Sequence, residues 1–187
     1  MFDRGFKTWC ERLSLQERKA LGLQPVDPLD PLQLAARKGI LVKTPRDVPG
    51  LDAESLKTLT NGGSEGWSAV TVAVGSRAVI LLNATHSKGR AASDLMHEVA
   101  HLVIGHSGSR VDVAADGSLL LRTYDKKQEL EANWLAGCLL LPREALLHIH
   151  RNRVPPSTAL QRYGVSRDML DYRMQVTGVL RQVSRWR

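Results

Sequence analysis

No stretch of this sequence is long and apolar enough to cross a bilayer, which takes ~18–20 residues. The longest candidates, "LMHEVAHLVI" and "NWLAGCLLLP", are short and interrupted, so no membrane role is expected. Cysteine is scarce. Cys10 and Cys138 are the only two, far apart and outside any CxxC pair, which argues against a disulfide scaffold. They read as reduced thiols and point to the cytoplasm. The opening segment "MFDRGFKTWCERLSLQERKALGL" scatters charge throughout and has no apolar h-region, so it does not read as a secretory signal. No internal repeat and no low-complexity tract is present, which leaves an ordinary globular chain.

What is there fits that class. Hydrophobic residues make up 43% of 187, enough for a sizeable single core with a small appendage. The net charge is +7, and most of the excess lies in residues 143–187, where nine arginines face only Glu144, Asp168 and Asp171. Such an end can attract nucleic acid or an acidic protein. The arginines are dispersed rather than run together, so a solvated helical surface is the favoured reading.

Patterning organises the chain as α+β. Residues 2–22 read as a charged amphipathic helix and "QPVDPLDP" (24–31) as a linker or rigid turn. "LQLAARKGILVKTP" reads as helix, glycine stop and strand, and "DAESLKTLTN" as a second short helix. "WSAVTVAVGSRAVILLN" (67–83) is a hairpin candidate around Gly75-Ser76. A helix is expected over 90–104, then strands around Asp116-Gly117, then a helix over 127–142 that stops at Pro142. The tail, broken by Pro155-Pro156 and Gly164, reads as short helices. The expected organisation is an N-terminal helix and linker (1–29), a core (30–142) and a basic helical segment packed on it (143–187).

Within "SDLMHEVAHLVIGH" (93–106), two imidazoles and a carboxylate interrupt an apolar helix. Residues four apart on an α-helix are separated by about 40° around its axis, so His97 and His101 project from one face. Their ring nitrogens can reach a single Zn²⁺. Glu98, rotated about 100° from His97, stands beside that point, where a general base for water belongs. This is the HExxH arrangement. Burying such a trio is costly unless something satisfies it.

A third ligand is needed. His106 lies off the shared face and misses the HExxHxxGxxH spacing by one position, so it is set aside. In "ELEANWLAGCLLLP", Ala132, Asn133, Ala136 and Leu140 share a face with Glu129, while Glu131 points nearly the opposite way. The alanines are small enough to let this helix approach the first closely. Glu129 is therefore the chosen third ligand. A favourable charge at a helix N-terminus is the competing explanation for both glutamates, and it fits Glu131 better. Asn133 is a candidate to support the site or to pair a backbone group in the core. Tyr124, His86 and Arg90 are candidates to stabilise an oxyanion, each with a plain surface or strand-end alternative.

Three blocks in order, "GRAASDLMHEVAHLVIGH", "ELEANWLAGCLLLP" and "YGVSRDMLDYRM", resemble the ImmA/IrrE family of metallopeptidases, over roughly residues 30–178. The resemblance implies a zincin-like core with a small twisted sheet, an HExxH active-site helix and a helical C-terminal part. It implies one Zn²⁺ held by His97, His101 and Glu129, with Glu98 as catalytic base. It also implies cleavage of a helix-turn-helix repressor of a mobile element or stress response. The fused DNA-binding domain of some relatives has no counterpart in residues 1–29. Two other classes stay open: a non-catalytic zinc-fold regulator of toxin or antitoxin type, and a DNA-binding factor using the basic tail. Direct nucleic-acid binding is not the favoured reading, although "STALQRYGVSRDMLDYRM" superficially resembles a helix-turn-helix. Its apolar stripe at Val165, Met169, Leu170 and Met174 favours packing on the core.

Overall fold

The computed structural model describes residues 2–62, 66–74, 77–106, 110–113, 119–121 and 125–180. The fold is α+β. The hairpin expected from residues 67–83 appears as β2 (Ala69–Val74) and β3 (Arg77–Leu82), antiparallel, with Thr71 opposite Ile80. β1 (Leu41–Lys43) adds in parallel to β3, and β4 (Arg110–Val113) adds in parallel to β2. β5 (Leu119–Leu121) closes the far edge against β4, giving the order β1-β3-β2-β4-β5. The turns at Gly75-Ser76 and Asp116-Gly117 lie outside the described residues.

The HExxH stretch is the helix α4 (Lys88–Ile104), packed on β2 and β3. Ser87 starts it by accepting the Arg90 N–H, and Gly105 ends it at φ 86°, a left-handed turn that favours glycine. Leu95, Met96, Val99 and Ala100 are buried and share one core with Ile80 of β3.

A second helix, α5 (Lys126–Leu140), packs against α4 and against α1 (Phe6–Ala20). Asp125 caps its start by accepting the Lys127 and Gln128 N–H groups. Ala132 and every residue from Trp134 to Leu140 is buried, the mark of a helix enclosed on most sides. Such a helix cannot end in the core with its last carbonyls unpaired. Side chains from both flanks of the chain satisfy them. The Ser14 hydroxyl donates to the Cys138 carbonyl at 2.6 Å, and Arg18 donates to the Leu139 carbonyl at 2.8 Å. Arg173 donates to the Leu141 carbonyl at 3.0 Å and pairs with Glu11 at 2.7 Å.

Arg18 and Arg173 are both fully buried. Burial pulls the Arg18 pKa down to about 10, partly offset by Tyr163, Glu11 and other acids, so it stays charged at neutral pH. Arg173 lies directly over Gly137, where an added Cβ would meet its Cδ at 2.8 Å. Replacing Arg173 with Met removes the donor to the Leu141 carbonyl and leaves the Glu11 carboxylate with only the Arg143 N–H and the Cys138 thiol. We expect a loss of about 3 kcal/mol and a melting point lower by roughly 10 °C, measured by thermal denaturation.

Shorter helices complete the molecule: α2 (Pro31–Arg37), α3 (Ala53–Lys57), α6 (Arg143–Arg151), α7 (Pro156–Tyr163) and α8 (Arg167–Val176). Gly164, at φ 61°, turns α7 into α8, and Ser166 caps α8 by accepting the Met169 N–H at 3.1 Å. Of the tail's apolar stripe, Val165 and Leu170 are buried, and Met169 and Met174 are partly so. Several tail arginines spend their charge on the protein itself. Arg162 pairs with Asp27, Arg167 with Asp171 and Arg173 with Glu11, and Arg143 donates to the Thr177 carbonyl. Among the described residues, no helix is long and apolar enough to cross a membrane.

Candidate metal centre

Helical spacing sets His97 and His101 on one face of α4, and the α4–α5 packing brings Glu129, in the first turn of α5, to the same point. The three groups offer ligand atoms that all lie within 4.8 Å of one another. His97 Nε2 stands 3.0 Å from His101 Nε2 and 3.1 Å from Glu129 Oε2, and His101 Nε2 stands 3.4 Å from Glu129 Oε1. The His101 side chain is only 2% exposed, whereas His97 and Glu129 retain 22% and 27%. The cluster is therefore sealed on the core side and reachable from solvent on the other.

The donor set fits a cation. His97 Nδ1 faces the Asn133 Oδ1 at 3.1 Å. An amide oxygen only accepts, so this ring nitrogen carries the hydrogen. In a neutral ring the other nitrogen, Nε2, presents a bare lone pair to a carboxylate oxygen, an arrangement that a cation between the two satisfies. Donors ~2.0–2.1 Å from one tetrahedral zinc stand roughly 3.3 Å apart, close to the separations above. Burial, then the neighbouring His97 and His106 rings, pushes the His101 pKa down to about 3, which keeps that ring neutral and able to ligate.

Glu98 is turned away from the three, towards the sheet. The Thr71 hydroxyl on β2 donates to its Oε2. Burial pushes the Glu98 carboxyl up to about 7; the Thr71 hydrogen bond works downwards, and Glu129 and Asp94 add a smaller upward push. A cation beside it favours the charged form and acts downwards. A carboxyl poised near neutrality, one residue from His97, suits proton transfer.

The remaining candidates are placed as follows. Asn133 supports His97, as above. His86 donates from Nδ1 to Asp94, 2.9 Å away, and Arg90 lies 3.8 Å from the same carboxylate and 3.4 Å from the Ser68 hydroxyl. Among the described contacts neither reaches the His97–His101–Glu129 cluster. Tyr124 lies outside the described residues.

Thr71 has no place in the sequence reading, and two residues weighed there, His106 and Glu131, take parts other than those considered. His106 is not among the clustered ligand atoms, but its Nδ1 lies 3.0 Å from His101 Nδ1. Glu131 points away from Glu129, as its helical position requires, yet it is no mere terminal charge: it is buried, with Oε2 3.2 Å from His106 Nε2. The available signal was the need of every ligating histidine for a partner on its second nitrogen. For Thr71 it was a hydroxyl in the otherwise apolar run "AVTVAV".

No curated protein matches the sequence. The IrrE N-terminal-like domain (Peptidase_M78) matches residues 52–175, about two thirds of the chain, and spans α4, α5 and all the residues just described. A match of that extent to a peptidase domain indicates a metallopeptidase type of function, and the cluster able to hold a metal lies inside it. The chain belongs to the IrrE N-terminal-like family of peptidases, the ImmA/IrrE group that its HExxH and ExxAN helices resemble.

Proposed function

We propose that the protein is a zinc-dependent endopeptidase, with His97, His101 and Glu129 as ligands and Glu98 as general base. The supporting observation is the convergence of three lone-pair donors from two helices, with a buried carboxylate next to them and an open side facing solvent. Zinc is favoured over harder ions because two of the three donors are imidazoles. When bound, the ion supplies Lewis acidity, polarising the scissile carbonyl and bringing the pKa of an attacking water towards ~7.

The chain's own groups do the rest. Glu98 takes the proton from the attacking water and hands it to the departing amine. Thr71 fixes that carboxylate from the sheet side. Asn133 holds the His97 ring so that Nε2 stays free of hydrogen. The family resemblance supports a helix-turn-helix repressor as substrate, in a cytoplasmic setting. The use of tail arginines in internal contacts speaks for a protein substrate over direct DNA binding.

The test is incubation of the purified protein with helix-turn-helix repressors from its own genome, starting with any encoded next to its gene. With stoichiometric zinc one of them should be shortened at one site. Chelation with 1,10-phenanthroline should stop cleavage and added zinc should restore it. Cleavage that persists in the chelated protein sinks the metal reading. A full set of repressors left intact by zinc-loaded enzyme sinks the assignment of substrate.

A further inference from the structure

We infer that His106 and Glu131 are a positioning pair that fixes which nitrogen of His101 faces the metal. The inference rests on the metal reading above and extends it to residues outside the ligand set. The Glu131 carboxylate only accepts, so His106 Nε2, 3.2 Å away, must carry a hydrogen and donate it. A neutral His106 then has a bare Nδ1. That atom faces His101 Nδ1 at 3.0 Å, so the hydrogen between them belongs to His101. With Nδ1 protonated, a neutral His101 has its lone pair on Nε2, the atom that meets His97 and Glu129.

One carboxylate thus sets the tautomer of a ligand two side chains away. Exposure supports this order of roles: His106 and Glu131 are 7% and 8% exposed, too enclosed for water to replace either partner freely. Lys127, 3.7 Å from Glu131 and 3.0 Å from Asp3, faces the carboxylate's other oxygen and leaves Oε2 to His106. His97 obtains the same tautomer by a shorter route, through Asn133. The two ligands are therefore prepared independently, one by an amide and one by a His–Glu pair.

The test uses the full chain with ring-¹⁵N-labelled histidine, first metal-free and then titrated with Zn²⁺. In the wild type, long-range ¹H–¹⁵N correlations should show His101 protonated on Nδ1 alone. His106→Phe and Glu131→Leu should let His101 populate both tautomers and weaken zinc binding by ~10–100-fold, leaving the His97 tautomer unchanged. His106→Asn, which keeps an acceptor for the His101 hydrogen, should recover part of that loss. A wild-type His101 protonated on Nε2 overturns the inference without any variant having to fold. Folded His106→Phe and Glu131→Leu proteins with undiminished zinc affinity overturn it as well. A wild type that takes up no zinc refutes the metal reading itself, whereas one that binds zinc but fails the ring test refutes only the pair.

Discussion

Glu98→Gln should lower the rate of repressor cleavage by about 10³-fold, equivalent to about 4 kcal/mol of transition-state stabilisation, while zinc content stays at one ion per chain. The amide has the shape of the carboxylate and still accepts from Thr71, so the hydrogen bond to β2 survives. What it loses is the ability to take and return a proton. Folding should not suffer. Burial holds the Glu98 pKa above its unfolded value, so in the metal-free protein ionising it destabilises the fold progressively as pH rises from the unfolded pKa through about 7. The neutral amide removes that penalty. Metal-free Glu98→Gln should therefore melt no lower than wild type at pH 8, and its advantage should vanish at pH 4. A variant that cuts at the wild-type rate refutes Glu98 as the base.

Glu129→Ala should have the largest effect on metal binding. Structural zinc sites release of order 12 kcal/mol on binding, so one of three protein donors accounts for about 4 kcal/mol, or ~10³-fold in affinity. Isothermal titration with zinc measures this directly. A thermal readout checks it: a thousandfold excess of zinc over its dissociation constant stabilises the folded state by about 4 kcal/mol, which raises the melting point by roughly 8–16 °C. That rise should be present in the wild type and absent in Glu129→Ala at the same zinc concentration. Without metal the variant should fold as well as the wild type, because removing the carboxylate relieves the lone-pair contact with His97 Nε2. An unchanged zinc affinity would dismiss Glu129 as a ligand.

How much of this was legible in the sequence depends on the range of each interaction. The HExxH face is a property of helical period alone, so His97 and His101 could be paired without knowing what surrounds them. Glu129 was reachable because small residues, Ala132 and Ala136, mark the face of α5 able to come near another helix. Helix limits were legible to within two residues where a cap declares them, as Ser87 and Gly105 do for α4. Partner choice across the fold was not. Thr71 reaches Glu98 only once the hairpin lies under α4, and His106 meets Glu131 only when the two helices are packed. The charged helix at residues 2–22 misled differently. Its charges suit a solvated face, yet Arg18 is fully buried and Glu17 nearly so, the latter paired with Arg37 and Lys38. An arginine can lay its stem through apolar surroundings and deliver its forked donors to carbonyls of a distant helix, which no local pattern encodes.

The clamp on the end of α5 has a consequence for assembly. That helix carries Glu129, Glu131 and Asn133 near its start, yet the carbonyls at its finish are satisfied by residues 14 and 18 on one flank of the chain and 173 on the other. During synthesis the proposed metal donors are all present once residue 129 has emerged. The strut that carries one of them keeps the Leu141 carbonyl without its arginine for 32 residues more. Firm support for the proposed metal site is thereby tied to synthesis through residue 173, and a fragment released before that point would hold its ion on a loose strut.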